Sequence, residues 1–216
     1  TTVCTDKWMK GTVNSFYIGF VSTFLATALG TIAALGLSRP HMPFKGLIMA
    51  ILISPMIVPL IITAAGMFFF YSKLGLTHSY TGLILAHTAL GTPFVVITVT
   101  ATLTGFDNNL IRASQSLGAD TMRTFFKVIM PLILPGVISG ALFAFITSFD
   151  EVVVVLFVGS VEQVTIPRQL WAGLRQEISP VILCMATCLV ALSIALLTTV
   201  ELLRRRSERL RGIKHR

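Results

Sequence analysis

Charge is what this chain has least of. Only 12% of its 216 residues are Asp, Glu, Lys or Arg, whereas a soluble globular domain carries about 25%. With 54% hydrophobic residues and a mean hydropathy of +0.84, the chain reads as an integral membrane protein. Cysteine is scarce too. Cys4 stands alone, and Cys184 and Cys188 fall at i, i+4 on one apolar stretch, as small packing residues do. That spacing gives neither a disulfide framework nor a metal site. No phosphate-binding Walker sequence, nucleophile elbow or glycine-rich dinucleotide fingerprint occurs. The sequence therefore points to no catalysis, cofactor or metal in this chain.

Long uncharged runs are present instead: Gly11–Ser38, Gly46–Ser72, Leu74–Phe106, Val128–Phe149 and Ile178–Val200. Each exceeds the roughly 20 residues that cross a bilayer as a helix. In lipid every backbone group must be satisfied internally, so helix is the only open-chain solution. The sequence predicts an all-α polytopic bundle with five spans, at 12–37, 47–72, 80–105, 128–158 and 179–203. The fourth is long enough to bend or break.

The 17 basic residues orient these spans. With the 105–127 loop inside, Arg39, Lys45, Arg112, Arg123, Lys127 and the tail from Arg204 to Arg216 place 12 of them inside. Lys7, Lys10, Lys73, Arg168 and Arg175 lie opposite. The net charge of +8 is thus a positive-inside signal and not a nucleic-acid footprint; the tail suits anionic lipid headgroups. Five spans ending inside leave the first residue outside, and no cleavable signal peptide is visible. A sixth, N-terminal span absent from this sequence is the expectation.

Within the spans, Ala26, Gly30 and Ala34 form one small-residue stripe and Gly136, Gly140 and Ala144 another, the pattern of close helix packing. Pro55 and Pro59 fall inside one run, where each kinks a helix; such kinks serve as a gate or as plain structure. His87 reads as a neutral imidazole bonded to a neighbouring helix, with a functional ionisable group as the alternative. Asp150 and Glu151 stand inside the fourth predicted span, where a carboxylate costs on the order of 3 kcal/mol unless paired, hydrated or useful. Adjacent helical positions diverge by about 100°. Asp150 is assigned to a pathway and Glu151 to a helix break, a basic partner or the outer mouth; the bland alternative is that both end a short helix at the interface. Thr165–Ile178, with Trp171, Arg168, Arg175 and Glu177, predicts an amphipathic interfacial or re-entrant helix on the outer side.

One polar, cationic stretch enters the fourth run: R-A-S-Q-S-L-G-A-D-T-M-R-T-F-F-K-V-I-M-P-L-I-L-P-G-V-I-S-G, residues 112–140. Gly118 permits a tight bend, Asp120 lies near a helix start, and Pro131 sits early in the span, where its missing N–H costs least. This stretch resembles the cytoplasmic coupling loop of binding-protein-dependent ABC importer permeases, E-A-A-x-x-L-G-A followed by P-x-x-x-P-G and a further Gly. Ala113 and Ser114 fall on the two alanines, Leu117, Gly118 and Ala119 on L-G-A, and Pro131, Pro135, Gly136 and Gly140 on the second block. Arg112 replaces the usual glutamate. The S-F-D-E-V-V-V, T-I-P and S-P segments resemble spermidine/putrescine-type permeases within that group.

The resemblance implies a single permease domain over 1–216 with a type I ABC importer fold, a coupling loop at about 106–127 and a basic tail at 204–216, in a bacterial inner membrane. The implied partners are a second homologous permease, two cytoplasmic ATPases that bind ATP and Mg, a periplasmic binding protein and membrane lipid. The 110–123 helix would seat in an ATPase groove, through Arg112, Ala113, Ser114, Leu117, Gly118, Ala119 and Asp120. The implied substrate is a polyamine passing Asp150, Glu151, Phe145 and Phe149, with Trp171 adding a further cation–π face. Leu60 stands where polyamine-type permeases often carry an acid. That keeps 4-aminobutyrate, opines or another amino compound open, with an inorganic anion behind them. An ATPase-independent channel or carrier would leave the 112–140 pattern without a purpose.

Overall fold

The computed structural model describes residues 6–39, 41–107, 109–176 and 180–210. Cys4, Glu177, Ile178 and the tail residues Arg211, Lys214 and Arg216 lie outside them. The described residues are helical throughout: α1 (Asp6–Leu37), α2 (Lys45–Ile57), α3 (Leu60–Leu74), α4 (Tyr80–Thr104), α5 (Asn109–Ser116), α6 (Thr121–Thr124), a π-helical turn (Phe125–Ile129), α7 (Met130–Phe149), α8 (Val153–Val158), α9 (Ile166–Gln176) and α10 (Pro180–Leu210).

Three uninterrupted helices are long and apolar enough to cross a membrane: α1, α4 and the continuous stretch Thr121–Phe149. They pack as one unit, each against the other two. The small-residue stripes explain how. Cβ atoms at Gly30 and at Gly140 would each press on Val95 of α4, and one at Gly91 would meet both Ala26 and Ala144. Small side chains on α1 and α7 thus admit α4 on both sides, the route by which helices associate in lipid, where burial alone supplies no drive. Val13, Tyr17, Phe20 and Phe24 leave α1 on its exposed side, an apolar stripe suited to lipid.

The 47–72 run is not one straight helix. α2 and α3 meet at 105°, and the break falls at Val58–Pro59, not at Pro55. Pro55 cannot donate to the Ile51 carbonyl, but the Ser54 hydroxyl does so at 2.7 Å and keeps the helix intact. Pro59 has no such substitute. It drives Val58 into extended backbone (ψ 135°) and starts α3 as its N-cap residue.

The 128–158 span is broken, as its length allows. Its helix begins at Thr121 and stops at Phe149; after Asp150–Val152 the chain restarts as α8, which packs against α3 and α4. The stop coincides with the end of the uncharged run at Phe149, whereas the apolar Val152–Val158 gives no sign of where the helix resumes. The π turn lies immediately ahead of Pro131, with the Met130 N–H reaching back to the Phe125 carbonyl. A proline ring crowds the carbonyl four residues earlier, and the wider turn gives it room. The predicted 179–203 span falls on α10, whose apolar stretch Ile182–Ala195 precedes the basic residues; the helix continues to Leu210, so the tail begins as helix.

Candidate functional site: the coupling segment and the acid pair

At the inner end, the predicted 110–123 helix is two pieces. α5 ends in a turn closed by the Gly118 N–H on the Gln115 carbonyl (2.9 Å) and the Ala119 N–H on the Ser114 carbonyl (3.0 Å). Gly118 has φ +80°, a left-handed conformation that glycine adopts at no steric cost. The Asp120 carboxylate then caps α6, accepting from the Arg123 N–H at 2.7 Å. The two pieces are braced by the Ser114 and Thr124 hydroxyls, 2.8 Å apart. Arg112, Ala113, Gly118 and Asp120 are exposed, Ser114 and Ala119 half-buried, and Leu117 is 89% exposed.

Leu110, Met122 and Phe126 join Leu117 as exposed apolar side chains on the same segment. Leu110, Met122 and Phe126 fall outside the motif, although exposed apolar residues on a polar segment are themselves a signal for a protein contact. Behind the segment lies a cleft of about 340 Å³, walled by Leu35 and Arg39 of α1, Leu103 of α4, Ile111 of α5 and the π-turn residues Phe125 and Ile129.

At the far end of α7 the two acids part company. Asp150 ends the helix, its N–H on the Ile146 carbonyl at 3.0 Å, and its side chain is exposed. Glu151 is 7% exposed, and its Oε1 accepts the Val154 N–H at 2.9 Å, capping α8. Phe145 and Phe149 are buried, not open to a path within this chain. Phe149 packs on Phe145 at 5.5 Å and edge-on to Phe16 of α1 at 5.2 Å, and Phe20 covers Phe145 at 5.0 Å. Phe16 and Phe20 belong to this cluster, though nothing in their sequence neighbourhood marks them. The face of Trp171 is already taken by the Arg175 guanidinium at 5.3 Å.

The outer loop before α9 is fastened to the same end. Asn14 Nδ2 donates to the Glu162 and Val164 carbonyls (2.8 and 3.0 Å), Tyr80 donates to Asn14 Oδ1 (3.0 Å), and Ser15 Oγ accepts the Ile166 N–H (2.9 Å). α9 covers Ile166–Gln176 of the predicted 165–178 segment, and Glu177 and Ile178 lie outside the described residues. Pro55 lies within α2 and Pro59 at the α2–α3 break. Among the described residues no group of three or more His, Cys, Asp or Glu side chains gathers to hold a metal.

The geometry is thus a membrane bundle with an exposed, braced lever at one end and an exposed carboxylate at a helix break towards the other. Known proteins are similar to this chain. The chain is 31% identical over 202 residues to the spermidine/putrescine transport system permease protein PotC of Haemophilus influenzae, covering 94% of this chain and 79% of that one. It is 28% identical over 193 residues to the putrescine transport system permease protein PotI of Escherichia coli, covering 86% and 68%. A bacterial ABC transporter involved in the import of the acidic polysaccharide alginate superposes with a TM-score of 0.73 at 14% identity, over 92% of this chain and 76% of that one, which shows a shared fold. The model of the binding-protein-dependent transport system inner membrane component family matches residues 26–209. The chain belongs to that family and is an inner-membrane permease of an ABC importer.

Proposed function

We propose that this permease forms half of a polyamine import path, with Asp150 receiving the cationic substrate. The observation that carries the reading is the exposed carboxylate of Asp150 at the break after α7, just past the uncharged run Val128–Phe149. A carboxylate held there binds an ammonium group through charge-assisted hydrogen bonds. The names of the two relatives support a diamine or larger polyamine over other cations. A second permease would supply the opposite wall, and a periplasmic binding protein would deliver substrate.

Two cytoplasmic ATPases, holding ATP and Mg, would seat the Asn109–Asp120 segment on their surfaces. Leu110 and Leu117 fit such a contact because they are apolar and exposed on a polar segment between membrane helices. ATP-driven closure would move this lever, and the Ser114–Thr124 brace passes that motion to α6 and on through the π turn to α7. The cycle then alternates between states that differ in affinity for substrate and nucleotide. This chain supplies path and lever, and hydrolysis resides in the partners.

A second reading is favoured by Leu60. It follows Pro59 at the α2–α3 break and packs against the buried cluster around Leu83 and Val154, so no acid stands there. A route with fewer acids suits an amino compound with one ammonium group, such as 4-aminobutyrate. Uptake of labelled putrescine into proteoliposomes, competed by spermidine, 4-aminobutyrate and sulfate, tests the two. Competition by spermidine alone supports the polyamine reading; competition by 4-aminobutyrate alone supports the second.

A further inference from the structure

One buried polar chain is absorbed by neither the lever nor the acid pair. His87 on α4 is 1% exposed, and its Nδ1 lies 2.7 Å from Ser148 Oγ on α7. Ser148 Oγ lies 2.9 Å from Ser22 Oγ on α1, and Ser22 Oγ lies 2.6 Å from the Ile18 carbonyl oxygen. All three side chains are buried, and the chain links the three helices that pack as one unit.

The protons in this chain are fixed by counting. A carbonyl oxygen only accepts, so the single Ser22 proton goes to Ile18. Ser22 Oγ then accepts from Ser148, which uses the single Ser148 proton. Ser148 Oγ must therefore accept from the imidazole, which makes Nδ1 the protonated nitrogen of His87. Nε2 is left as a lone-pair acceptor, and among the described residues it has no hydrogen-bond partner. His87 thus grips α7 through one defined donor. The grip falls on the last turn of that helix, two residues before Asp150, whose own N–H closes the same turn on Ile146.

We propose that His87, as the Nδ1–H tautomer, is a positioning residue that sets the rotation of the last turn of α7 and so the aim of Asp150. This rests on the reading that Asp150 meets the substrate. Without the bond, the Phe145–Phe149 packing still buries the helix, but the turn beyond it loses its only polar tie to α4 among the described bonds. The part is thus conformational: it fixes where a carboxylate points in a segment that breaks one residue later.

Two side-chain isosteres separate the nitrogens. An asparagine amide places its N–H near the Nδ1 position, and a glutamine amide reaches the Nε2 position. The test uses the assembled transporter in nanodiscs, in a background with Cys4, Cys184 and Cys188 changed to Ser, and reads the labelling rate of Asp150→Cys by a charged, membrane-impermeant maleimide. His87→Asn is expected to label as the parent does. His87→Gln and Ser148→Ala are expected to change the rate severalfold. In the Asp150 parent, the same two variants raise the KM for putrescine about tenfold, the equivalent of one buried hydrogen bond, with kcat held. Unchanged labelling in all variants, or retention by His87→Gln and loss by His87→Asn, would overturn the proposal.

A second readout needs no change at the position. In ¹⁵N-histidine-labelled transporter keeping only His87 (His41→Gln, His78→Asn, His215→Gln), Nδ1 should carry the proton and Nε2 should be bare. Ser22→Ala frees the Ser148 proton and should mix the tautomers. An Nε2–H signal in the parent would overturn the proposal. Labelling and tautomer are read without substrate, so a transporter indifferent to putrescine would remove the polyamine reading and leave these outcomes to decide the role of His87.

Discussion

Ser114 and Thr124 face each other at 2.8 Å across the Gly118 turn, and this is the one side-chain bond described between α5 and the base of the α7 helix. Ser114→Ala or Thr124→Val removes it while leaving the Gly118 turn and the Asp120 cap in place. The expected loss of stability is about 1 kcal/mol, too little to unfold the bundle. The expected functional effect is larger: ATP hydrolysed per substrate imported should rise, because the lever moves without carrying α7. Parallel ATPase and uptake assays on one proteoliposome preparation measure that ratio. An unchanged ratio in both variants would show that motion reaches α7 another way.

Gly118 separates backbone strain from crowding. Its φ is +80°, and a Cβ there would have open space within 4 Å. A left-handed residue costs roughly 1–2 kcal/mol for most side chains and less for asparagine. Gly118→Asn should therefore keep ATPase co-purification and uptake, whereas Gly118→Val should lose ATPase while the membrane helices stay folded by circular dichroism. Equal loss in both would mean that the partner needs the bare backbone there, and that strain is not the cause.

Gly140 and Gly36 offer the opposite contrast. A Cβ at Gly140 would strike Thr98 and Val95 on α4, and one at Gly36 would meet nothing within 4 Å. Gly140→Leu should lower the thermal midpoint of the detergent-solubilised complex sharply, since overpacking a close interface costs typically 1–3 kcal/mol. Gly36→Ala should leave the midpoint unchanged or slightly raised.

Much of this was legible in the sequence, for reasons that differ by residue. The lever could be read because Gly118, Asp120 and Pro131 each have one conformational use, and their spacing fixes a turn, a cap and a helix entry. The stripes could be read because small residues four apart leave little else to do in lipid. The break at Pro59 could not be told from one at Pro55, since both remove an N–H; the Ser54 hydroxyl that heals the first gap is a three-dimensional fact. The uncharged run ends at Phe149, where α7 stops, but nothing in it carries the restart as α8; the cover that Phe16 and Phe20 lay over Phe145 and Phe149 is likewise set by three-dimensional packing.

Asp150 and Glu151 should respond differently to loss of charge. Glu151→Gln weakens the cap of a six-residue helix and should cost about 1 kcal/mol of stability, with substrate affinity held. Asp150→Asn touches no cap side chain and should leave the thermal midpoint in place.

The most direct measurement is stimulation of ATPase activity in the reconstituted complex with its binding protein, over putrescine, spermidine, 4-aminobutyrate, sulfate and phosphate, for the parent and Asp150→Asn. Stimulation by a polyamine that is lost in Asp150→Asn is the expected result. Stimulation by 4-aminobutyrate or an anion, equal in both proteins, would contradict the substrate and the role given to Asp150.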